Sequence, residues 1–290
     1  SATITVGGNW TNNVGASGFT PSSSTIIFES GGDHQDVTGA NTFYNVTQLY
    51  AGNYLRFYNQ TTIQNNLVLK YLCWAYQTMH IAGMLDLSDV GSRFTASGGN
   101  ANITIALLDQ GGKLMANGGG SINVEDLVQW WLGGIIEAGA GSLIDITNLD
   151  PGEYVDLRGE LRNFGGTINV SGTISWWPFN ADGAVVMTDG VIDFKTCGIT
   201  IKNNSYDLSV NITGGKIRTV GNFINERPDV DLSQAGIELY GSGSNILELA
   251  GNQTLNHLEI NKSGAKGKPD IKPTDRIGNL LPESGKANDC

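Results

Sequence analysis

Hydrophobic and polar residues alternate along most of this chain, in short runs that carry almost no helical period. Thr3-Ile4-Thr5-Val6, Ile103-Thr104-Ile105, Ile199-Thr200-Ile201 and Ile237-Glu238-Leu239 are typical, bounded by Gly, Asn or Asp. Neighbouring side chains on a strand point to opposite sides, so such runs predict short, half-buried strands. Sandwiches, barrels and solenoids all use strands of this kind, and internal repeats separate them.

Ser121-Ile122-Asn123-Val124 followed by Trp130-Trp131 matches Thr167-Ile168-Asn169-Val170 followed by Trp176-Trp177 at an offset of 46 without a gap. A column of apolar–polar–apolar triplets divides that period in two. It comprises Ile122-Asn123-Val124, Ile144-Asp145-Ile146, Ile168-Asn169-Val170, Ile192-Asp193-Phe194 and Ile217-Arg218-Thr219, whose first positions advance by 22, 24, 24 and 25. Glycine stands just ahead of each, at Gly120, Gly141, Gly166, Gly190 and Gly215. Met84-Leu85-Asp86-Leu87 reads as an earlier member. A second repeat joins the two ends: Thr42-Phe43-Tyr44-Asn45-Val46 matches Thr254-Leu255-Asn256-His257-Leu258 at an offset of 212, and Gly31, Val37 and Gly39 fall on Gly243, Leu249 and Gly251.

Hairpin strands recur every 8–12 residues or so, which does not produce this step. The pattern predicts an all-β fold, a right-handed parallel β-helix of about ten coils of 22–25 residues. Successive coils stack about 4.8 Å apart, the outer residues of each triplet pointing inward and the middle one to solvent. Residues 1–20 are expected as an N-terminal cap, 21–263 as the β-helix and 264–290, with Pro269, Pro273 and Pro282, as a linker or tail.

Composition narrows the partners. Glycine is abundant, 40 of 290 residues, as a chain with many corners requires. The balance of 17 basic against 28 acidic residues, net −11, disfavours nucleic acid and anionic lipid. No apolar stretch approaches the roughly 18 residues of a membrane span. A start at Ser1 without Met fits a chain whose leader was removed or never included. Cys73, Cys197 and Cys290 fit no zinc spacing; they read as two buried thiols and a tail thiol, or as a Cys73–Cys197 bridge.

Gly8-Asn9-Trp10-Thr11-Asn12-Asn13, Phe19-Thr20-Pro21, Thr25-Ile26-Ile27-Phe28, Gln35-Asp36-Val37-Thr38-Gly39 and Thr42-Phe43-Tyr44-Asn45-Val46 follow one another in a familiar order. The run resembles the repeat-rich secreted β-solenoid surface proteins of Gram-negative bacteria that use type IX secretion. Leu247 to Gly264 looks like a second copy of the same module. The resemblance covers about the first 65 and last 30 residues of the solenoid; the middle matches only in style. It implies β-solenoid architecture and export to the cell surface, not chemistry. Such proteins are usually longer and end in a sorting domain; none is visible here, which implies a fragment or a processed product.

Three sets of residues are candidates for function. Trp131, Tyr154 and Trp177 recur at a step of 23 and would form an aromatic ladder, either core packing or a platform for sugar rings. Asp86, Asn123, Asp145, Asn169 and Asp193 would share an outer line. Oxygens there, at Asp145, Asn169 and Asp193 above all, could hold Ca²⁺, or form a solvated ladder of hydrogen-bonded side chains. Asp145 and Asp193, two coils apart, stand at the far edge of the separation an inverting glycosidase uses. Only Arg158 and Arg162 accompany them, His34, His80 and His257 form no motif, and no nucleophile or phosphate motif occurs. Nine Asn-X-Ser/Thr sites are what this composition produces by itself. The expectation is a non-catalytic extracellular or cell-surface β-helix: scaffold, adhesin segment or filament-forming subunit, self-associating end to end or binding other surface proteins, without a cofactor. The alternatives are a carbohydrate-binding rod and a polysaccharide lyase or glycoside hydrolase.

Overall fold

The computed structural model describes residues 2–130, 134–149, 159–172, 184–201, 209–263 and 270–273. Every strand pairing among them is parallel, and the helical turn at Ala16–Gly18 is a short 3₁₀ turn. The protein is a parallel β-helix of about eleven turns with three faces. The first face starts at Trp10–Thr11 and His34–Thr38 and runs through Tyr54–Phe57, Leu72–Ala75 and Arg93–Ser97 towards Ser209–Ile212. The second starts at Asn41–Phe43 and ends at His257–Lys262. The third starts at Thr3–Val6 and Thr25–Phe28. It resumes past residue 199 as a separate four-stranded sheet.

The second face shows why this sequence stacks. One inward line reads Asn41, Thr61, Met79, Ala101, Ile122, Ile144, Ile168, Ile192, Ile217, Ile237 and Leu258, each paired in register with the next. From Met79 to Ile237 every member is buried. The alternation expected around Ile122–Thr219 thus defines this face, and the 46-residue repeat spans two rungs. The expected spacing of 22–25 holds along that stretch and from Met79 to Ala101. Towards the N-terminus the rungs step by 20 from Asn41 to Thr61 and by 18 from there to Met79. After Ile217 they step by 20 to Ile237 and by 21 to Leu258. Strand pairing fixes the rungs, whereas corner length is free, so the step varies without disturbing the ladder.

One register assignment is corrected. Leu85-Asp86-Leu87 does not belong to the Ile122 line: Leu85 pairs with Leu67 and Ala106, and Asp86 with Val68 and Leu107, all on the third face. The rung above Asn102 is Met79-His80-Ile81. Strand Met79–Leu87 rounds a corner without ending, so both its halves show the same apolar–polar–apolar pattern.

The repeat at the two ends marks a corner rather than a face. Val37, Phe43 and Val46 lie on the first, second and third faces, whereas Leu249 lies on the third and Leu258 on the second. The copy is displaced by one face, yet its geometry is kept. Gly39 and Gly251 both have positive φ, +80° and +70°, where a side chain is strained. Two residues on, Asn41 and Gln253 are buried amides that donate to corner carbonyls: Asn41 to Gly39 and Thr38, Gln253 to Arg227 and Val230.

Within residues 1–20, Thr3–Val6 and Trp10–Thr11 pair as rungs of the third and first faces. Over the top of the second face, the Trp10 ring packs edge-on against Phe19 and Phe43, and its Nε1 donates to Asn41 Oδ1 at 2.8 Å. At the other end Asp270–Pro273 pairs with Ile246–Leu249, so the ladder continues past residue 263. Cys73 and Cys197 are buried and free; burial pushes the Cys197 thiol up to about 11 and raises Cys73 further.

Truncating Ile168, held between Ile144 and Ile192, leaves a cavity that the stacked rungs cannot close. Ile168→Ala should therefore cost about 2–5 kcal/mol in equilibrium denaturation, and the exposed Asn123→Ala less than about 1 kcal/mol.

Candidate functional site

Along the rod, the outer lines present side chains to solvent. On the second face that line runs Thr42, Thr62, His80, Asn102, Asn123, Asp145, Asn169, Asp193, Arg218, Glu238 and Glu259. It divides into a neutral upper half and a charged lower half. In the upper half Asn123 Nδ2 donates to Asn102 Oδ1 at 3.0 Å, and Asn102 Nδ2 lies 3.5 Å from His80 Nδ1. Beside them an open groove of about 310 Å³ follows the corner, lined by His80, Asn102, Asn123, Thr104, Glu125 and Thr147 among others.

Asp145, Asn169 and Asp193 do stack on consecutive rungs. Their surroundings differ from those expected, because basic residues from other rungs reach them. Lys195 Nζ lies 3.6 Å from Asp145. Asp193 is buried: Oδ2 accepts from Arg218 at 2.9 Å and Oδ1 from the Tyr240 hydroxyl at 2.7 Å. Arg218 also donates to Glu238 at 2.8 Å and sits over the Tyr240 ring, 4.7 Å from its centroid. Lys216 bonds Glu259 at 2.8 Å and lies 3.6 Å from Glu238. Arg162 belongs to another face, where it pairs with Glu160, and Arg158 lies outside the described residues. Calcium at the Asp145–Asn169–Asp193 line would have to displace Lys195 and Arg218. No group of three or more His, Cys, Asp or Glu that could hold a metal occurs among the described residues.

The cluster's electrostatics are those of a closed network. Burial pushes Glu238 up, but the hydrogen bonds and charges of Arg218 and Lys216 outweigh it and hold the carboxyl below its ordinary value. The Glu259 hydrogen bond raises Lys216, and burial followed by the Asp193 hydrogen bond raises Tyr240. The triplet spacing placed Asp193 and Arg218 on neighbouring rungs but missed Glu238 and Glu259, which follow at shorter steps of 20 and 21, and Tyr240, two positions past the line.

Trp131, Tyr154 and Trp177 lie outside the described residues. An aromatic surface that the step of 23 did not find stands on the first face. Tyr54 stacks on Tyr71 with centroids 5.7 Å apart, and Tyr58 on Tyr76 at 5.0 Å. Trp74 meets Tyr54 edge-on at 5.4 Å, and the Arg93 guanidinium lies 5.4 Å from the Trp74 centroid. These coils are short: Arg56 and Trp74 are register partners at a step of only 18. Tyr58 and Tyr76 stand at the same step of 18.

The chain matches no protein-family model, no curated protein and no solved structure. The class defined is therefore the fold itself, a parallel β-helix with self-paired outer ladders. No helix among the described residues is long and apolar enough to cross a membrane.

The Glu238 network makes stability depend on pH. A carboxyl held below its unfolded value stabilises fully above that unfolded value and loses its contribution as pH falls through the folded one. Glu238→Gln should cost about 1–3 kcal/mol at neutral pH, and the gap from wild type should close in acid below the ordinary glutamate range. Urea titrations across pH read it; a gap unchanged by acid contradicts the assignment.

Proposed function

We propose that this protein is a non-catalytic extracellular rod, a β-helix segment that spaces and presents surfaces at the cell exterior. The observation that carries this reading is the pairing of outer side chains between rungs. Aspartate, arginine and glutamate on the second face bind one another, and tyrosines on the first face stack on one another. Groups committed in this way brace a rod, whereas a general acid or nucleophile must be left available to substrate. Resemblance of the ends to exported solenoid proteins supports the location.

End-to-end assembly is the second part of this reading. Among the described residues, Ile4 on the third face and Ile260 on the second occupy inward lines, yet are 37 % and 43 % exposed. A second copy stacked head to tail would bury both and add backbone hydrogen bonds in the same parallel sense. Negative-stain microscopy of concentrated protein should show end-to-end rods, and Ile4→Asp or Ile260→Asp should return single particles. Compact monomers from the wild type at high concentration would remove the assembly. New reducing ends or unsaturated products from a panel of acidic and neutral polysaccharides, with Ca²⁺ present, would overturn the non-catalytic reading.

A further inference from the structure

The first face carries a second feature that rung-to-rung pairing does not absorb. Its outer line continues from His34 and Tyr54 to Leu72, Arg93 and Lys113, each in register with the next or, at Tyr54 and Leu72, on adjacent strands. Arg93 and Lys113 are direct register partners, two cations one rung apart. Like charges directly opposite on neighbouring strands destabilise a sheet. Elsewhere among the described residues the chain neutralises such charges. Arg56 pairs with Asp36, Lys70 with Asp89, Arg162 with Glu160, Lys195 with Asp145, Lys216 with Glu259, Arg218 with Asp193 and Arg227 with Asp229. Lys262 donates to the Tyr240 carbonyl. Among the lysine and arginine side chains described, Arg93 and Lys113 alone have neither an ion pair nor a side-chain hydrogen bond, in a chain of net charge −11 that has acidic residues to spare. Arg93 Nε is buried without a hydrogen-bond partner. Its guanidinium lies over Trp74, which is half-buried beside Tyr54.

We propose that Trp74, Tyr71, Arg93 and Lys113 form a binding site for an acidic polysaccharide, with carboxylate or sulfate groups on the two cations and a sugar ring against the aromatic edge. Charge complementarity selects the ligand: an anion removes the repulsion between Arg93 and Lys113 and gives the guanidinium the forked partner its geometry suits. The aromatic neighbours favour a sugar over a plain acidic peptide, since an amphipathic ring takes the apolar face of a pyranose and leaves its hydroxyls wet. Adjacent cations advance by one rung, about 4.8 Å, close to the advance of a sugar unit along an extended chain. The site goes beyond the scaffold reading and does not depend on end-to-end assembly.

Calorimetry with polygalacturonate and dextran sulfate, against neutral dextran and poly-glutamate, tests it on the full chain. Binding to one or both acidic glycans, weakened by salt, is expected. Arg93→Gln with Lys113→Gln should lower affinity at least tenfold, Trp74→Leu should weaken it severalfold, and Lys195→Gln on another face should leave it unchanged. Without ligand the double variant should melt no lower than wild type. No binding to either acidic glycan, equal binding to poly-glutamate, or an affinity untouched by the double variant would overturn the site. So would a lower melting temperature of the ligand-free double variant, because the cations would then be structural. Binding accompanied by cleavage would leave the site standing and remove the non-catalytic reading instead.

Discussion

Everything in this molecule follows from stacking parallel strands in register, so that each residue sits on its equivalent from the coil before. The backbone ladder fixes a rung spacing of about 4.8 Å and makes each side chain's nearest neighbours the residues above and below it. Inside, that arrangement rewards likeness. Ile122, Ile144, Ile168, Ile192, Ile217 and Ile237 fill one line because identical branched side chains nest at this spacing. Buried amides stand at the corners, where they satisfy turning backbone, as Asn163 does by donating to the Val191 and Gly166 carbonyls.

Outside, the same rule works against the protein, because like-on-like stacking of charges repels. The second face resolves this by alternation: amides above, then acid, base and acid through Asp193, Arg218 and Glu238, with Lys216 set beside the line to balance Glu238 and Glu259. The first face resolves it near the N-terminus with Asp36 above Arg56. Arg93 above Lys113 is the place where the rule is broken, which is why that pair, and not the larger Arg218 network, points to something outside the chain.

The inner half of this logic is readable in one dimension. Alternation together with a glycine before each triplet identified five second-face rungs, and the fold followed from their near-constant step. Asp86 imitates that column without belonging to it, because strand Met79–Leu87 rounds a corner unbroken and repeats its own pattern on the next face. The outer half is less readable. The column read from the sequence already set Asp193 over Arg218, but it stopped there: Arg218 meets Glu238 because the next coil advances by only 20. A fixed step of 22–25 does not find that partner. Nor could it find Tyr58 over Tyr76, which needs a step of 18. Corner length sets these distances, and corner length leaves no periodic trace.

The displaced repeat of the two ends bears on how such rods grow. If the module were tied to a face, its second copy would return to that face. Instead Gly39 and Gly251 turn equivalent corners on different sides of the rod, each followed by a buried amide that satisfies corner carbonyls. What is repeated is a way of turning, and each face extends from whatever corner precedes it. A fold built so can add coils one corner at a time, and Ile4 and Ile260, exposed on inward lines among the described residues, show the apolar surface that an added coil would cover.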